Sequence, residues 1–348
     1  MHIPFDDVRK RINTIGLYNE TVTPLSILDL VPILQGGTAA EALASSLDLA
    51  KHAEAWGYRR FWLAEHHNSP GIASAATSVI IAHVAAGTRR IRVGAGGIML
   101  PNHAPLQIAE QFGTLESLFP ERIDLGLGRA PGTDRAATIA LRRTLHTDPE
   151  DFPADVQELM KYFEKPQPEQ RVHAYPGAGL QVPIWILGSS TFGARVAAAL
   201  GLPFAFASHF APADLVEALR IYRSQFVPSK QLSTPYAMLG VNVVAAETSE
   251  RARFLASSAR QAFASLRAGR PIPLPPPSDE WTRHPEIEPT ILDRSRISVV
   301  GDTNTVANEL RQFIASNNAD ELILVSAIYD HASRLKSYRL TAEAMGIT

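Results

Sequence analysis

The chain has 348 residues, with 33 Lys and Arg against 35 Asp and Glu, giving a net charge of −2 with neutral histidine. That balance leaves no basic stripe for binding a phosphate backbone, so no nucleic-acid partner is expected. Hydrophobic residues at 45% and charged ones at 20% are those of a chain that buries a core, and the lack of cysteine removes disulfides, thiolate metal sites and Cys nucleophiles.

The opening residues, MHIPFDDVRKR, carry charge where a secretory leader needs an apolar stretch. The longest weakly polar run, 72–87, is shorter than the roughly 18 residues of a membrane span. The expectation is a cytoplasmic protein with no membrane partner. Residues 25–30 form an apolar run that predicts a buried strand. Over 39–56 the spacing of Ala42, Leu43, Leu47, Leu49, Ala50 and Ala53 predicts a helix, which Gly57 stops. Strands are predicted at 61–63, 91–96 and 122–127, separated by helices at 74–86 and 106–118. After an irregular stretch come strands at 183–187 and 203–207, with helices at 191–200 and 213–226. A strand at 236–245, helices at 249–266 and 303–315, a strand at 321–326 and a helix at 331–345 complete the order.

Strand and helix alternate about eight times, and several strands are continuous apolar runs. Strands buried on both faces and joined by helices belong to a parallel sheet. Eight such units predict an α/β fold with a single (β/α)8 TIM barrel rather than an open doubly wound sheet. The expected organisation is an N-terminal extension, 1–23, and a barrel domain, 24–348. Two insertions interrupt the rhythm, at about 133–182, with a helix at 155–163, and at 269–296. Pro271, Pro273 and the run Pro275-Pro276-Pro277 exclude a sheet interior for the second. It reads either as a surface linker or as a lid over the barrel mouth.

Chemistry in such a barrel sits where strands end and helices begin. After the second strand comes Ala64-Glu65-His66-His67-Asn68. Imidazole and carboxylate side chains invite a metal reading; but successive residues of an extended chain point to opposite sides, so one His faces the mouth and the other away. The pair is read as a metal site, as a packed structural pair, or as one His acting as acid, base or hydrogen-bond donor at the mouth. The glycines of 94–97 allow a tight turn or the close approach of a flat ligand. Gly126 and Gly128 do not make a dinucleotide fingerprint, because the next glycine falls a place late and Pro131 intrudes. Arg129, just after the fourth strand, can hold a phosphate through two parallel hydrogen bonds. Gly188-Ser189-Ser190, directly before a helix, reads either as an ordinary N-cap or as a phosphate site at the positive end of the helix dipole. Arg129 and the Ser pair follow adjacent strands, where one phosphate can touch both.

These stretches, in this order, resemble the bacterial-luciferase-like family of flavin-dependent monooxygenases, in its flavin-only branch of small bacterial oxidoreductases. The resemblance is carried by residues 61–68, 91–103, 110–112 and 122–134, and extends to 188–190 and 201–210. It implies a barrel that takes reduced FMN as co-substrate and reacts it with O2, through a C4a-peroxyflavin, to oxygenate a small organic substrate. His66 falls on the family's catalytic His, and Gly96 and Gly97 on a non-prolyl cis peptide beneath the flavin ring. Arg129 and Ser190, with Gly188 and Ser189 beside them, match phosphate-binding positions, and Ala207 falls near the ring face. Luciferase itself has Ala-Ala at Gly96-Gly97 and a Cys at Gly128, departures that argue against light emission. The family also implies a separate flavin reductase, since no nicotinamide fingerprint is present, and a homodimer. Two other readings keep the barrel: an F420-dependent hydride-transfer oxidoreductase, and a flavin-binding protein without turnover.

Overall fold

Each apolar run of the sequence becomes a strand because burial on both faces leaves no position for a polar side chain except at strand ends. The computed structural model describes residues 22–129, 135–141, 151–283 and 297–348. The chain begins with β1 (Leu25–Asp29), α1 (Ala39–Ala55), β2 (Arg60–Leu63), α2 (Thr77–Gly87), β3 (Arg92–Met99), α3 (Pro105–Leu118) and β4 (Ile123–Gly128). It continues through α4 (Arg135–Leu141), α5 (Phe152–Tyr162), β5 (Ile184–Gly188), α6 (Thr191–Leu200), β6 (Phe204–Phe206), α7 (Leu215–Ser224) and β7 (Ala237–Ala246). It ends with α8 (Ser249–Arg267), α9 (Asp279–Arg283), β8 (Ser298–Asp302), α10 (Thr303–Asn317), β9 (Glu321–Val325) and α11 (His331–Met345).

Strands β1 to β7 pair in order and in parallel, and β9 joins β7 to β1, which closes a (β/α)8 barrel of eight strands. The eight are those predicted, with ends shifted by up to three residues. The ninth, β8, was not predicted. It pairs with the far half of β7, from Asn242↔Ser298 to Ala246↔Asp302, whereas β6 and β9 take the near half. Strand β8 therefore lies above the barrel rim. There Val244, Ala246, Ala252, Leu255, Ala256 and Ile328 form a small core of their own.

Two features of local sequence set the helices. Thr38 and Glu41 form a capping box at the start of α1, Thr38 N donating to Glu41 Oε2 at 2.8 Å and Glu41 N to Thr38 Oγ1 at 3.2 Å. Gly201, at φ +62°, ends α6 in the left-handed conformation that favours glycine. Most buried side chains pack between helices and the outer barrel face. A separate inner core, Leu28, Trp62, Ala64, Trp185, Ala205, Met238 and Ile323, fills the barrel interior.

The first insertion carries α5, whose Phe152, Val156 and Leu159 are buried. A Cβ on Gly113 of α3 would lie 2.3 Å from Gly177 Cα, so the insertion rests directly on that helix. The second insertion is bonded to the mouth. Leu274 N donates to Ile33 O and Gln35 N to Leu274 O, both at 2.8 Å, which fastens the Pro-rich segment to the loop after β1. A Cβ on Gly71 would lie 2.5 Å from Ile272 O, so the same segment crosses the loop after β2. Of the predicted N-terminal extension, residues 1–21 lie outside the described residues, as do 130–134, 142–150 and 284–296 of the insertions.

Candidate active site

The end of β2 separates the two histidines. Trp62 and Ala64 point into the inner core. The strand ends at Leu63, and Glu65, His66 and His67 follow it outside regular secondary structure. His66 is half-buried. His67 Nε2 meets Glu65 Oε1 at 2.8 Å. His103, from the turn after β3, brings its Nε2 to 3.0 Å from both carboxylate oxygens, and Met99 N donates to Oε2 at 3.0 Å.

Glu65 is 1% exposed. Burial alone would push its carboxyl up. The hydrogen bond and charge of His103, the bond from His67 and the Met99 N–H together hold it below the usual value. An ionised carboxylate only accepts hydrogen bonds, so both imidazoles present a protonated Nε2 to it. Among the described residues no group of three His, Asp or Glu side chains is arranged to hold a metal ion. Of the two histidines, His67 is bonded to the buried Glu65 carboxylate.

The glycines of β3 answer first to the neighbouring strand. The β3–β4 ladder runs from Ala95↔Leu125 to Ile98↔Leu127, so Gly96 and Gly97 together oppose Gly126 in a bulge. A Cβ on Gly94 would stand 2.4 Å from Asp124 O, one on Gly97 2.8 Å from Gly126 O, and one on Gly126 2.2 Å from Ala95 O. One on Gly96 would meet Leu28 Cδ1 at 2.7 Å, above the inner core. Only glycine permits this approach of two backbones. The Gly96–Gly97 peptide is cis, as the family resemblance implies.

The structure brings the remaining predicted residues together. Gly128 pairs with Leu187 and Gly188 with Phe206, which sets the ends of β4, β5 and β6 side by side. Ala207 N donates to Gly188 O at 2.9 Å. The Arg129 guanidinium stacks 4.0 Å above the Phe192 ring, in the first turn of α6. Ser190 occupies the N-cap position of α6 with extended backbone, and its side chain makes no capping hydrogen bond. The ordinary N-cap reading is therefore not realised. The stack brings the Arg129 cation to the first turn of α6, whose leading N–H groups have no partner within the helix.

Three residues of this site escaped the sequence reading. Glu65 was seen only as part of a metal-like cluster, His103 only as a residue of a loop, and Phe192 not at all.

A closed parallel barrel with Arg129 after β4, Gly188-Ser189-Ser190 after β5 and His66 after β2 places the predicted site residues at the C-terminal ends of strands, where TIM-barrel enzymes carry their chemistry. The sequence model of the luciferase-like monooxygenases matches residues 23–319, and the chain belongs to that family. It is similar to the uncharacterized protein YvbT of Bacillus subtilis (strain 168), 51% identical over 92% of this chain and 96% of that one. It is 50% identical to a luciferase-like monooxygenase of Escherichia coli (strain K12), over 91% of this chain and 96% of the relative. Among solved structures, apo-MsnO8 matches at a TM-score of 0.86 and 35% identity, over 94% of this chain and 99% of that one. The fold alone is shared with an FMN complex of the oxygenating constituent of 3,6-diketocamphane monooxygenase, at 17% identity and TM-score 0.71. It is shared equally with an F420-dependent secondary alcohol dehydrogenase, at 14% and 0.66. No helix among the described residues is long and apolar enough to cross a membrane.

Proposed function

We propose that this monooxygenase uses reduced FMN and O2 to oxygenate a small organic substrate. The observation that supports the cofactor is the Arg129 guanidinium stacked on Phe192 in the first turn of α6, a helix whose N-cap Ser190 makes no side-chain capping bond. The cofactor supplies, when bound, the reducing electrons that activate O2 for transfer of one oxygen atom. The protein's own contribution is binding, orientation and proton placement. Arg129, Ser189 and Ser190 would hold the phosphate, with Gly188 keeping the approach free of a side chain. Gly96, Gly97 and Ala207 would give the ring a surface without projecting side chains. His66 would hold or give a proton at the reacting edge.

A 50% identical relative named a luciferase-like monooxygenase supports oxygen chemistry over hydride transfer. Reduced flavin is expected from a separate reductase and the enzyme is expected as a cytoplasmic homodimer; light scattering on the purified protein gives the mass against 37.9 kDa per chain.

The test is an anaerobic titration with reduced FMN and, separately, with reduced F420, followed by admission of O2. Binding of reduced FMN and oxygen uptake coupled to a product supports the oxygenase. Binding of reduced F420 alone, with no oxygen consumed, would move the chain to hydride transfer.

Arg129→Ala tests the proposed phosphate site. Losing a charge-assisted hydrogen bond costs about 1.5–3 kcal/mol, so FMN affinity is expected to fall roughly ten- to a hundredfold. An unchanged dissociation constant for FMN takes Arg129 out of the phosphate site.

A further inference from the structure

We infer that Glu65 is the positioning residue for the ring end of the flavin site, holding the β2 end that carries His66 and the β3 bulge that carries Gly96 and Gly97 as one unit. The inference rests on the flavin reading above and assigns a residue to that site.

The bulge is where the β3–β4 ladder stops supplying partners, since Gly96 and Gly97 together oppose Gly126. A buried backbone group without a ladder partner needs another. Glu65 supplies it from the opposite side: its N donates to Gly97 O at 3.2 Å. Its side chain then reaches past the bulge, where Oε2 takes the N–H of Met99 at 3.0 Å. One residue thus grips β3 at the bulge itself and again just past it. The same carboxylate receives His67 at 2.8 Å and His103 at 3.0 Å. His66 is consequently bracketed by two neighbours whose side chains are bonded to each other, which fixes its backbone.

A glutamine at this position has the same shape but one oxygen. Its amide nitrogen would face an N–H donor in the carboxylate's place, so Glu65→Gln loses at least one of the bonds from Met99, His67 and His103. The ring end should loosen while the proposed phosphate site, after other strands, stays intact. The experiment titrates wild-type protein, Glu65→Gln and Arg129→Ala with oxidised FMN and with riboflavin, which lacks the phosphate. It also records the visible circular dichroism of bound FMN, and a thermal melt establishes that each variant is folded.

Glu65→Gln is expected to weaken FMN and riboflavin by the same factor, about tenfold, and to change the flavin dichroism. Arg129→Ala is expected to weaken FMN alone and to leave the dichroism as it is. Should Glu65→Gln fail to fold, His103→Ala removes one partner and His103→Gln restores a donor; loss in the first and recovery in the second support the inference. Wild-type riboflavin affinity and dichroism in folded Glu65→Gln would overturn it. Wild-type protein that binds neither flavin fails at an earlier step and sinks the flavin reading itself.

Discussion

His66→Ala is expected to leave reduced-FMN affinity within a few-fold of wild type and to slow oxygenation of a competent substrate by about 10²–10⁴-fold, the usual range for losing a positioned proton donor or acceptor. His66 follows the C-terminal end of β2, just after Ala64 of the inner core. Its sequence neighbours Glu65 and His67 are held together at 2.8 Å, so truncating the imidazole leaves the backbone around it in place. The residues proposed to hold the phosphate follow β4 and β5, strands other than the β2 that leads to His66. Affinity and turnover should therefore separate, which single-turnover kinetics beside an anaerobic titration can resolve. An imidazole titrates near pH 6.5, the one side chain that exchanges a proton at neutral pH without special tuning. Intact turnover in a folded His66→Ala protein would return this residue to a packing role. A parallel fall in flavin affinity and turnover would mean that it binds rather than transfers.

The strand-end positions of Arg129 and Ser189-Ser190 were legible because each directly follows an apolar run that becomes a barrel strand, β4 or β5. The Phe192 stack was not, since nothing in one sequence says on which side of a strand end an arginine lies. The glycine run 94–97 was read as a tight turn or as room for a flat ligand, whereas it lies within β3 and the group that approaches Gly94 and Gly97 is the backbone of β4. A glycine pattern in one strand does not reveal that its partner strand is equally bare, unless Gly126 is read against it. Glu65 was hidden for a different reason. Its second imidazole comes from His103, 38 residues later, and the two meet only because β2 and β3 pair.

Among the elements, β8 escaped because it is five residues long, half exposed, and lies outside the barrel on an extension of β7. Without burial on both faces it leaves no apolar run. The short helices α4 and α9, of seven and five residues, give too few turns for a period to emerge. The eight barrel strands had less of this handicap, since each is mainly apolar or glycine where the barrel closes around it.

At the opposite end of the barrel from the site, Arg60→Met is expected to cost about 3–5 kcal/mol of stability, the price of leaving buried carboxylates without their cation. Arg60 is 5% exposed. Its Nη1 donates to Asp124 Oδ2 at 2.8 Å and its Nε to Glu321 Oε1 at 2.9 Å. Trp62 Nε1 donates to Asp124 Oδ2 at 3.1 Å, Arg92 Nη2 to Asp124 Oδ1 at 2.7 Å, and Tyr236 OH to Glu321 Oε2 at 2.8 Å. Ser26 also donates to Glu321. Burial would lift the Asp124 carboxyl, yet Arg60 and Arg92 hold it below its ordinary value of 3.8. A depressed folded-state value means that the unfolded chain takes up the proton first. This part of the stability is present above pH 4 and fades as pH falls below it. The network also seals the barrel floor, since the Arg60 guanidinium lies 4.8 Å from the Trp185 ring centroid. Charges at the first or second position of four strands, Arg60, Arg92, Asp124 and Glu321, were the available signal in the sequence, and their two signs already balance. The check is a urea denaturation series at neutral pH on Arg60→Met, Glu321→Gln and the double variant. The double should lose clearly less than the sum of the singles, because each single strands the other's partner. Strictly additive losses, or a loss in Arg60→Met below about 1 kcal/mol, would show that the two groups do not depend on each other and that the floor is held by packing alone.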